Sequence, residues 1–555
     1  MERHAIIKAL QENPEIDVLI VGGGINGAGA FLDMAVNGLK VLLIDRGDFC
    51  SGASATSSHM AHGGIRYLEN GEFRLVREAV AERNRMIRNA PHMVKPLPTV
   101  IPMFKLFSGF LNAPLKFLNW LDKPSERGAA VIKIGLIFYD SFTGKNRTVP
   151  AHQFFGKKET FKRYPLLNKD VNFTAEYYDG LMLSPERLNT EIILDAEKVS
   201  ESAMALNYVS FDGVEADTVL LNDLAGEKFL RIKPKMIVNA AGPWIDVVNQ
   251  RMGKHTKYIG GTKGSHIIVN NPELKKAIGN KEFFFENKDG RIVLLLPFFD
   301  KVIIGTSDLP IDNPDDAVCT PEEEEYFIDL VKRVFPEILI LPEQIVFRFS
   351  GVRPLEFQNA KTTGQITRDH TIKEDSFGEI PVLSLVGGKW TSYRAFGEQA
   401  GEKALEFLNK ERKGTTEEME IGGGRDYPAT DLAIREYFAE FSAKGYEEGI
   451  IAILFERYGT YISEMLRSGS IEFLKTNQHI TQNEIKFLTR TEKVVHLDDL
   501  LLRRTSLGWL GLIDDVCLRE ICNLVGITLG WSQDKQEAEI ARVKELFLKN
   551  HGVTI

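Results

Sequence analysis

Residues 16–29, Ile-Asp-Val-Leu-Ile-Val-Gly-Gly-Gly-Ile-Asn-Gly-Ala-Gly, together with Lys40–Asp45 (KVLLID), decide the fold of this chain. Ile16–Val21 is a short apolar run ending in glycines, the pattern of a buried parallel strand. Asn26–Gly38 reads as a helix with small residues on one side and Gly38 as its stop, and Lys40–Asp45 as a second buried strand. The unit is βαβ. Gly22, Gly24 and Gly27 form GxGxxG between strand and helix, and Asp45 closes the second strand about 20 residues on. In such a turn Gly22 allows the tight bend, Gly24 the approach of a pyrophosphate and Gly27 the packing of helix on sheet. The helix N-terminus offers free N–H groups to phosphate oxygens, and Asp45 accepts from ribose hydroxyls. The alternative is a glycine turn without a ligand.

A second strand, Pro381–Val386 (PVLSLV), runs into Gly387-Gly388 and a helix reaching Leu408. Alone it is an ordinary strand-to-helix turn. Paired with a fingerprint near the N-terminus, it suits a long cofactor with two ends to anchor, FAD rather than NAD. A helix starting near Thr391 would aim its positive end at a reduced flavin.

The chain has 555 residues, enough for two or three domains. Met236–Gly242, His266–Val269, Arg291–Phe298 and Lys301–Asp308 are the clearest strands in its middle. Asn409–Asp426 is charged and Gly-rich, a linker or long loop. Beyond it Glu448–Arg457, Thr481–Arg490 and Asp534–Asn550 have helical periodicity. The expected fold class is α/β: an N-terminal FAD-binding Rossmann-type fold interleaved with a β-rich substrate domain over residues 1–425, then a helical domain over 426–555.

A net charge of −9 argues against a nucleic-acid partner. Four cysteines are too few for a disulfide scaffold and read as free thiols. The histidines show no HExxH or similar cluster, so no metal site is expected. The N-terminus lacks a signal peptide's apolar core, and no apolar run is long enough to span a bilayer. The expectation is a cytoplasmic protein, peripheral on the cytoplasmic membrane. Phe104–Phe142, which includes FKLFSGFLNAPLKFLNWLDK, has the aromatic and lysine content of a segment at an anionic lipid interface, with core or homodimer packing as the alternative.

An ordered series of motifs resembles the FAD-dependent glycerol-3-phosphate dehydrogenase family of the aerobic, quinone-linked type. The series is LIVGGGINGAG (19–29), AHGGIRYLENGEFRLVREAVAER (61–83), VNAAGPW (238–244), TKGSH (262–266), IIGTSD (303–308), SGVRPL (350–355), ITRDH (366–370) and GGKWTSYR (387–394). LLRRTSLG (501–508) looks like that family's C-terminal helical domain. Three departures stand out: His59 where the family carries Lys or Arg in a Ser-rich run, Asp45 for its Glu, and Pro185-Glu186-Arg187-Leu188 for a segment like Asp-Ala-Arg-Leu.

The resemblance implies oxidation of sn-glycerol 3-phosphate to dihydroxyacetone phosphate by hydride transfer from C2 to flavin N5, with electrons leaving to a membrane quinone. A phosphate dianion calls for arginine forks. Arg66, Arg353, Arg368 and Lys389 lie in the matched motifs, each with a surface ion pair as its alternative. Loss of the hydroxyl proton calls for a group titrating near neutrality. His266 is the favoured acceptor and His62 the other candidate; Lys263 or Arg353 would polarise the same oxygen, and Tyr67 would shape the site. The expected cofactor contacts are Gly22, Gly24, Asn26, Gly27, Asp45, Arg46, Ser57, Ser58, His62, Gly63, Gly64, Val214, Gly242, Trp244, Gly387, Gly388 and Thr391, with loop capping as the alternative for the serines. Rival readings are an oxidase that makes hydrogen peroxide from O2, an amino-acid or amine oxidase, and a non-catalytic flavoprotein. The long insertion that some oxidase relatives carry after the SGVRP-type motif is absent, since ITRDH follows closely. An amino-acid oxidase would need one carboxylate clamp rather than a set of four basic residues.

Overall fold

In the computed structural model, which describes residues 2–65, 72–106, 128–143, 147–226, 228–286, 292–358, 369–468 and 471–555, Glu15–Val21 is a strand buried at every position after the first. It pairs in parallel with Val41–Ile44 on one side and with the second half of Lys228–Asn239 on the other. Ala203–Leu206 and Ile380–Val386 extend the parallel sheet at its two ends. Thr371–Phe377 closes one edge antiparallel, and the hairpin Val209–Glu215/Thr218–Asp223 hangs from the first half of Lys228–Asn239. Both faces of the central parallel strands, such as Val41–Ile44 and Ala203–Leu206, are covered, which is why they read as unbroken apolar runs. The helix after the glycines runs Ile25–Val36. It crosses Tyr393–Phe407 at close range: a Cβ at Gly29 would lie 2.7 Å from Tyr393 O, so only paired small residues allow the approach.

A second, ten-stranded sheet is built from two excursions of the chain between strands of the first. Met60–Ala61, Val94–Met103, Gln153–Gly156 and Phe173–Met182 come from one; Thr262–Val269, Glu282–Glu286, Ile292–Phe298, Lys301–Gly305, Leu309–Pro310 and Ile345–Arg353 from the other. Pro321–Val334 packs on one face through Phe327, Leu330 and Val331. The opposite face carries Leu296, Phe298, Phe347 and Phe349, which share one apolar core with Leu501, Trp509 and Phe547 of the C-terminal helices. Those helices include Glu448–Tyr458, Gln482–Thr491 and Gln533–His551, the three expected from periodicity, and a π-helical turn at Asp499–Arg504.

The segment expected as a linker contains no long element, yet it is fastened down. Arg412 pairs with the buried Asp33 at 2.9 Å, Gly422 N donates to Asp195 at 2.7 Å, and Ile421 is buried. The partners of Arg412 and Gly422 lie hundreds of residues away in sequence, beyond the reach of a local pattern. All four cysteines are free thiols. No helix among the described residues is long and apolar enough to cross a membrane, and none of their His, Cys, Asp or Glu side chains gather in a group able to hold a metal ion. Most of Phe104–Phe142, including Phe110, Leu118 and Trp120, lies outside the described residues. Its last part is the helix Ala129–Thr143, with Leu136 and Tyr139 buried and Ile134, Ile137 and Phe138 exposed.

Candidate cofactor and substrate site

At the glycine turn the backbone leaves no room for side chains. Gly22 adopts φ +112°, and a Cβ there would sit 2.5 Å from Ala240 O. A Cβ at Gly27 would collide with Gly22 O, so these two residues make the turn itself. At Gly24 a Cβ would meet only Ser54 Oγ, at 3.1 Å. The N-cap residue Gly24 offers no side-chain cap to the helix that follows; Ser54 Oγ takes the Ile25 N–H, and the next N–H groups, of Asn26 and Gly27, are placed to meet an anion. Asn26 donates to Gly387 O at 3.0 Å, while its buried Oδ1 has no partner among the described residues. Asp45 accepts from Gly23 N at 2.7 Å and Gly47 N at 2.9 Å. Burial pushes its carboxyl up to about 6, still ionised at neutral pH. Open space beside Gly242, the helix N-terminus and the orphaned Asn26 oxygen together fit a dinucleotide.

Arg46 stacks over Trp244 at 4.6 Å, and Asp315 accepts from both, at 2.5 and 3.0 Å. The expected role of Val214 meets a different geometry. It lies on the outer hairpin, paired with Val219, whereas the residue of that strand beside Asp45 is Val209, whose amide donates to Asp45 O at 2.7 Å. Five residues of strand, roughly 15 Å, separate the two valines. Sequence spacing alone could not say which turn of the hairpin approaches the acid.

Residues 51–64 connect the two sheets and form a shared wall. Ser54 Oγ accepts from Ile25 N at the glycine turn, and Ser54 O accepts from Trp390 Nε1 at 2.9 Å. Thr56 covers Gly351, where any Cβ would strike its side chain. Ser57 Oγ accepts from His59 N at 3.4 Å. Ser58 Oγ meets His266 Nε2 at 2.8 Å, and Thr391 donates to His62 O at 3.1 Å. Gly387 and Gly388 have φ +80° and +85°. Gly63 N donates to Asp179 at 2.9 Å and to Tyr139 OH at 3.1 Å, Gly64 has φ +75°, and the fully buried Arg83 pairs with the same Asp179. Thr56 is expected from sequence, with Ser57 and Ser58, to offer a hydroxyl to the flavin or phosphates; Ser54 was not singled out from sequence, although the Ser/Thr run containing it was the available signal.

His59 is no flavin-loop residue. It packs edge-on to Phe298 and Trp509 in the core shared with the C-terminal helices, and burial pushes its imidazole down to about 3.

On the second sheet, Thr262–Val269 pairs with Ile345–Arg353, setting His266 opposite Phe349 and Thr262 opposite Arg353. His266 stacks on Phe349 at 4.7 Å and is 2 % exposed. Burial first, then the Arg353 guanidinium, hold its pKa well below 6.5, so the ring is a neutral acceptor at neutral pH. Arg353 folds over Gly264, where a side chain would collide with it, and reaches Asp308 at 3.2 Å and Thr306 at 3.0 Å. Lys263 points the other way. Alternation along the strand puts it on the opposite face from His266, and its ammonium pairs with buried Glu323 at 2.8 Å and Val318 O at 2.7 Å. The expected contact of Lys263 with the reacting oxygen is therefore not what the strand provides. Lys389 lies at the start of the turn Trp390–Ser392, after the parallel strand of the first sheet. Arg66, Tyr67 and Arg368 lie outside the described residues.

A family model described as FAD dependent oxidoreductase matches residues 17–394, and one described as the C-terminal domain of alpha-glycerophosphate oxidase matches residues 414–536. The chain is 32 % identical to a glycerol-3-phosphate dehydrogenase of Synechocystis sp., over 97 % of each. It is 28 % identical to an aerobic glycerol-3-phosphate dehydrogenase of Staphylococcus haemolyticus, over 95 % of this chain and 94 % of that one. Among solved structures it resembles the glycerol-3-phosphate dehydrogenase of Bacillus halodurans complexed with FAD, with a TM-score of 0.76 at 21 % identity, covering 99 % of this chain and 97 % of that one. The L-alpha-glycerophosphate oxidase of Mycoplasma pneumoniae with FAD bound follows at a TM-score of 0.51 and 18 % identity, covering 73 % of this chain and 98 % of its own. At these identities the structural likeness speaks to the fold.

Proposed function

The chain belongs to the FAD-dependent glycerol-3-phosphate dehydrogenase/oxidase family, with FAD as its cofactor, and from that premise we propose that it oxidises sn-glycerol 3-phosphate at carbon 2 to dihydroxyacetone phosphate and passes the electrons to a membrane quinone. The observation that carries this reading is the pairing of a neutral, buried His266 with the Arg353 fork on one face of the substrate sheet, at the wall that also reaches the glycine turn. FAD, when bound, accepts the hydride from carbon 2. The remaining work falls to the chain's own residues.

Gly22, Gly24, Gly27 and Asp45 hold the adenosine and pyrophosphate end; Gly387, Gly388 and the His62–Gly64 loop border the flavin end. His266 takes the hydroxyl proton, with Ser58 Oγ, at 2.8 Å from Nε2, orienting the ring. Arg353 binds the phosphate or the reacting oxygen, and Arg66, Arg368 and Lys389 complete the anion site. A bound dianion offsets the mutual repulsion of these four basic groups, of which Arg353 already has a partner in Asp308, and this favours a phosphorylated substrate over glycerol.

Attachment to the cytoplasmic membrane without crossing it is supported by Ile134, Ile137 and Phe138, which lie exposed on the Ala129–Thr143 helix. The reading is tested by mixing the yellow holoprotein anaerobically with sn-glycerol 3-phosphate. The flavin absorbance should bleach, and a soluble quinone should restore it faster than oxygen. No bleaching ends the substrate assignment. Reoxidation by oxygen with stoichiometric peroxide, at the rate of dye reduction, replaces the quinone reading with the oxidase one, which the match of the C-terminal region to an oxidase domain keeps open.

A further inference from the structure

The loop that follows Asp45 is held from outside the nucleotide fold. Residues 46–50 touch both ends of the adenosine site: Gly47 N donates to Asp45, and Cys50 N donates to Gly23 O at 3.1 Å. Phe49 lies so close beneath Gly23 that a Cβ there would be 2.5 Å from its ring. At the middle of this loop Asp48 is 1 % exposed. Its carboxylate is gripped by two arginines 455 and 456 residues further along the chain. Arg504 Nη1 and Nη2 donate to the two oxygens at 2.7 and 2.8 Å, and Arg503 Nε adds a third bond at 2.6 Å.

Both arginines belong to the π-helical turn Asp499–Arg504, and π turns in helices are frequently found at functional positions. Neighbouring bonds tie the same turn to the edge of the sheet. Tyr208 OH donates to Asp499 at 2.6 Å, and Asn207 Nδ2 bridges Asp48 and Lys493 O at 2.9 Å each. Apolar packing against the second sheet already docks the helical region. A buried cluster of charges adds little net stability to that docking, but it fixes a geometry, and the geometry it fixes is that of the loop joining the ribose acid to the phosphate turn.

We infer that the C-terminal helical region is a cofactor clamp: Arg503 and Arg504, acting through Asp48, hold the Asp45–Cys50 loop in the conformation that retains the adenosine end of FAD. Asp48, Arg503 and Arg504 are positioning residues, since they act through the loop. The inference depends on FAD being the cofactor and stands whatever the substrate and acceptor prove to be. Linkage makes the coupling reciprocal, so bound FAD must in turn steady the π-helical turn.

The test uses the full-length holoprotein and reads FAD release by the recovery of free-flavin fluorescence after dilution. Arg504→Met and Asp48→Asn should speed release on the order of tenfold to a hundredfold, a part of what breaking a buried ion pair costs. Arg457→Met is the comparison: it removes a pair with Glu484 inside the helical region and leaves the loop untouched. It should lower the melting temperature while releasing FAD at the wild-type rate. Hydrogen exchange on the unaltered protein keeps the inference testable if the variants fail to fold, and removal of FAD should then reduce protection over residues 493–504. Wild-type release rates in both loop variants overturn the clamp. So does equally fast release from Arg457→Met, or equal protection with and without FAD.

Discussion

Gly24 and Gly27 stand three residues apart in one turn, yet an added methyl group means different things at each. At Gly27 it strikes the backbone of Gly22; at Gly24 it meets only the free end of Ser54. Gly24→Ala should therefore fold, with the apoprotein melting within a few degrees of wild type, while its flavin-to-protein ratio falls because the methyl group occupies the pyrophosphate's approach. Full flavin retention would remove Gly24 from the phosphate site. Arg353→Ala separates substrate from scaffold in the same way. Loss of a charge-assisted phosphate contact should lower kcat/KM for glycerol 3-phosphate by about 2–4 kcal/mol and affect glycerol much less. Equal losses on both substrates would mean that Arg353 serves Asp308 and Thr306 rather than the phosphate.

Two elements hold the loop proposed to border the flavin. The His62–Gly64 loop hangs from Asp179 on the strand Phe173–Met182 and from Tyr139 on the helix Ala129–Thr143, and Arg83 neutralises the aspartate at zero exposure. Asp179→Asn leaves that guanidinium buried without its counter-ion, at a cost of about 3–5 kcal/mol. Tyr139→Phe keeps the ion pair but removes the hydroxyl's bonds to Gly63, Arg83 and Asp179, two of them to charged groups, and costs about 1.5–3 kcal/mol. Denaturant melts of both check the ratio, and equal losses would show that the charge is not what matters. The helix Pro185–Val199 carries buried acids of its own, among them Glu186. Glu186 faces His59 at 3.9 Å, and burial pushes its carboxyl up to about 8 from an ordinary 4.5. Folded protein keeps that proton, and unfolded chain loses it. The stability this group contributes is thus complete below pH 4.5 and declines as pH rises to about 8. Glu186→Gln, which does not ionise, should gain on wild type across that window and then hold its lead. A pH-independent difference in melting temperature would show that Glu186 is ionised in the fold.

At the scale of the molecule, the helix Ala129–Thr143 joins interior to exterior: Tyr139 OH accepts from Gly63 N in the His62–Gly64 loop while Ile134, Ile137 and Phe138 face outward. Replacing those three with serine should cost little stability, as exposed sites do, and should abolish sedimentation with anionic vesicles. Unchanged sedimentation would move membrane attachment elsewhere on the surface.

The sequence by itself determined the nucleotide fold, because that information is local. Strand, glycine turn, helix and acid follow one another within 30 residues from Ile16 to Asp45, and each glycine's role is dictated by its own backbone. The family was equally legible, carried by a series of motifs spread along the chain. Pairings across the chain were not legible. Lys263 is expected to polarise the oxygen whose proton His266 accepts, and strand alternation puts it on the other face with Glu323. Val214 is expected at the cofactor, and the hairpin register sets Val209 rather than Val214 against Asp45. His59 sat among hydroxyl residues in sequence and lies among aromatic rings in space. Asp48 carried no signal at all, since its partners lie more than 450 residues away. Local backbone requirements leave a mark on neighbouring residues; the partner of a buried charge is chosen by packing, and only the tertiary structure decides it.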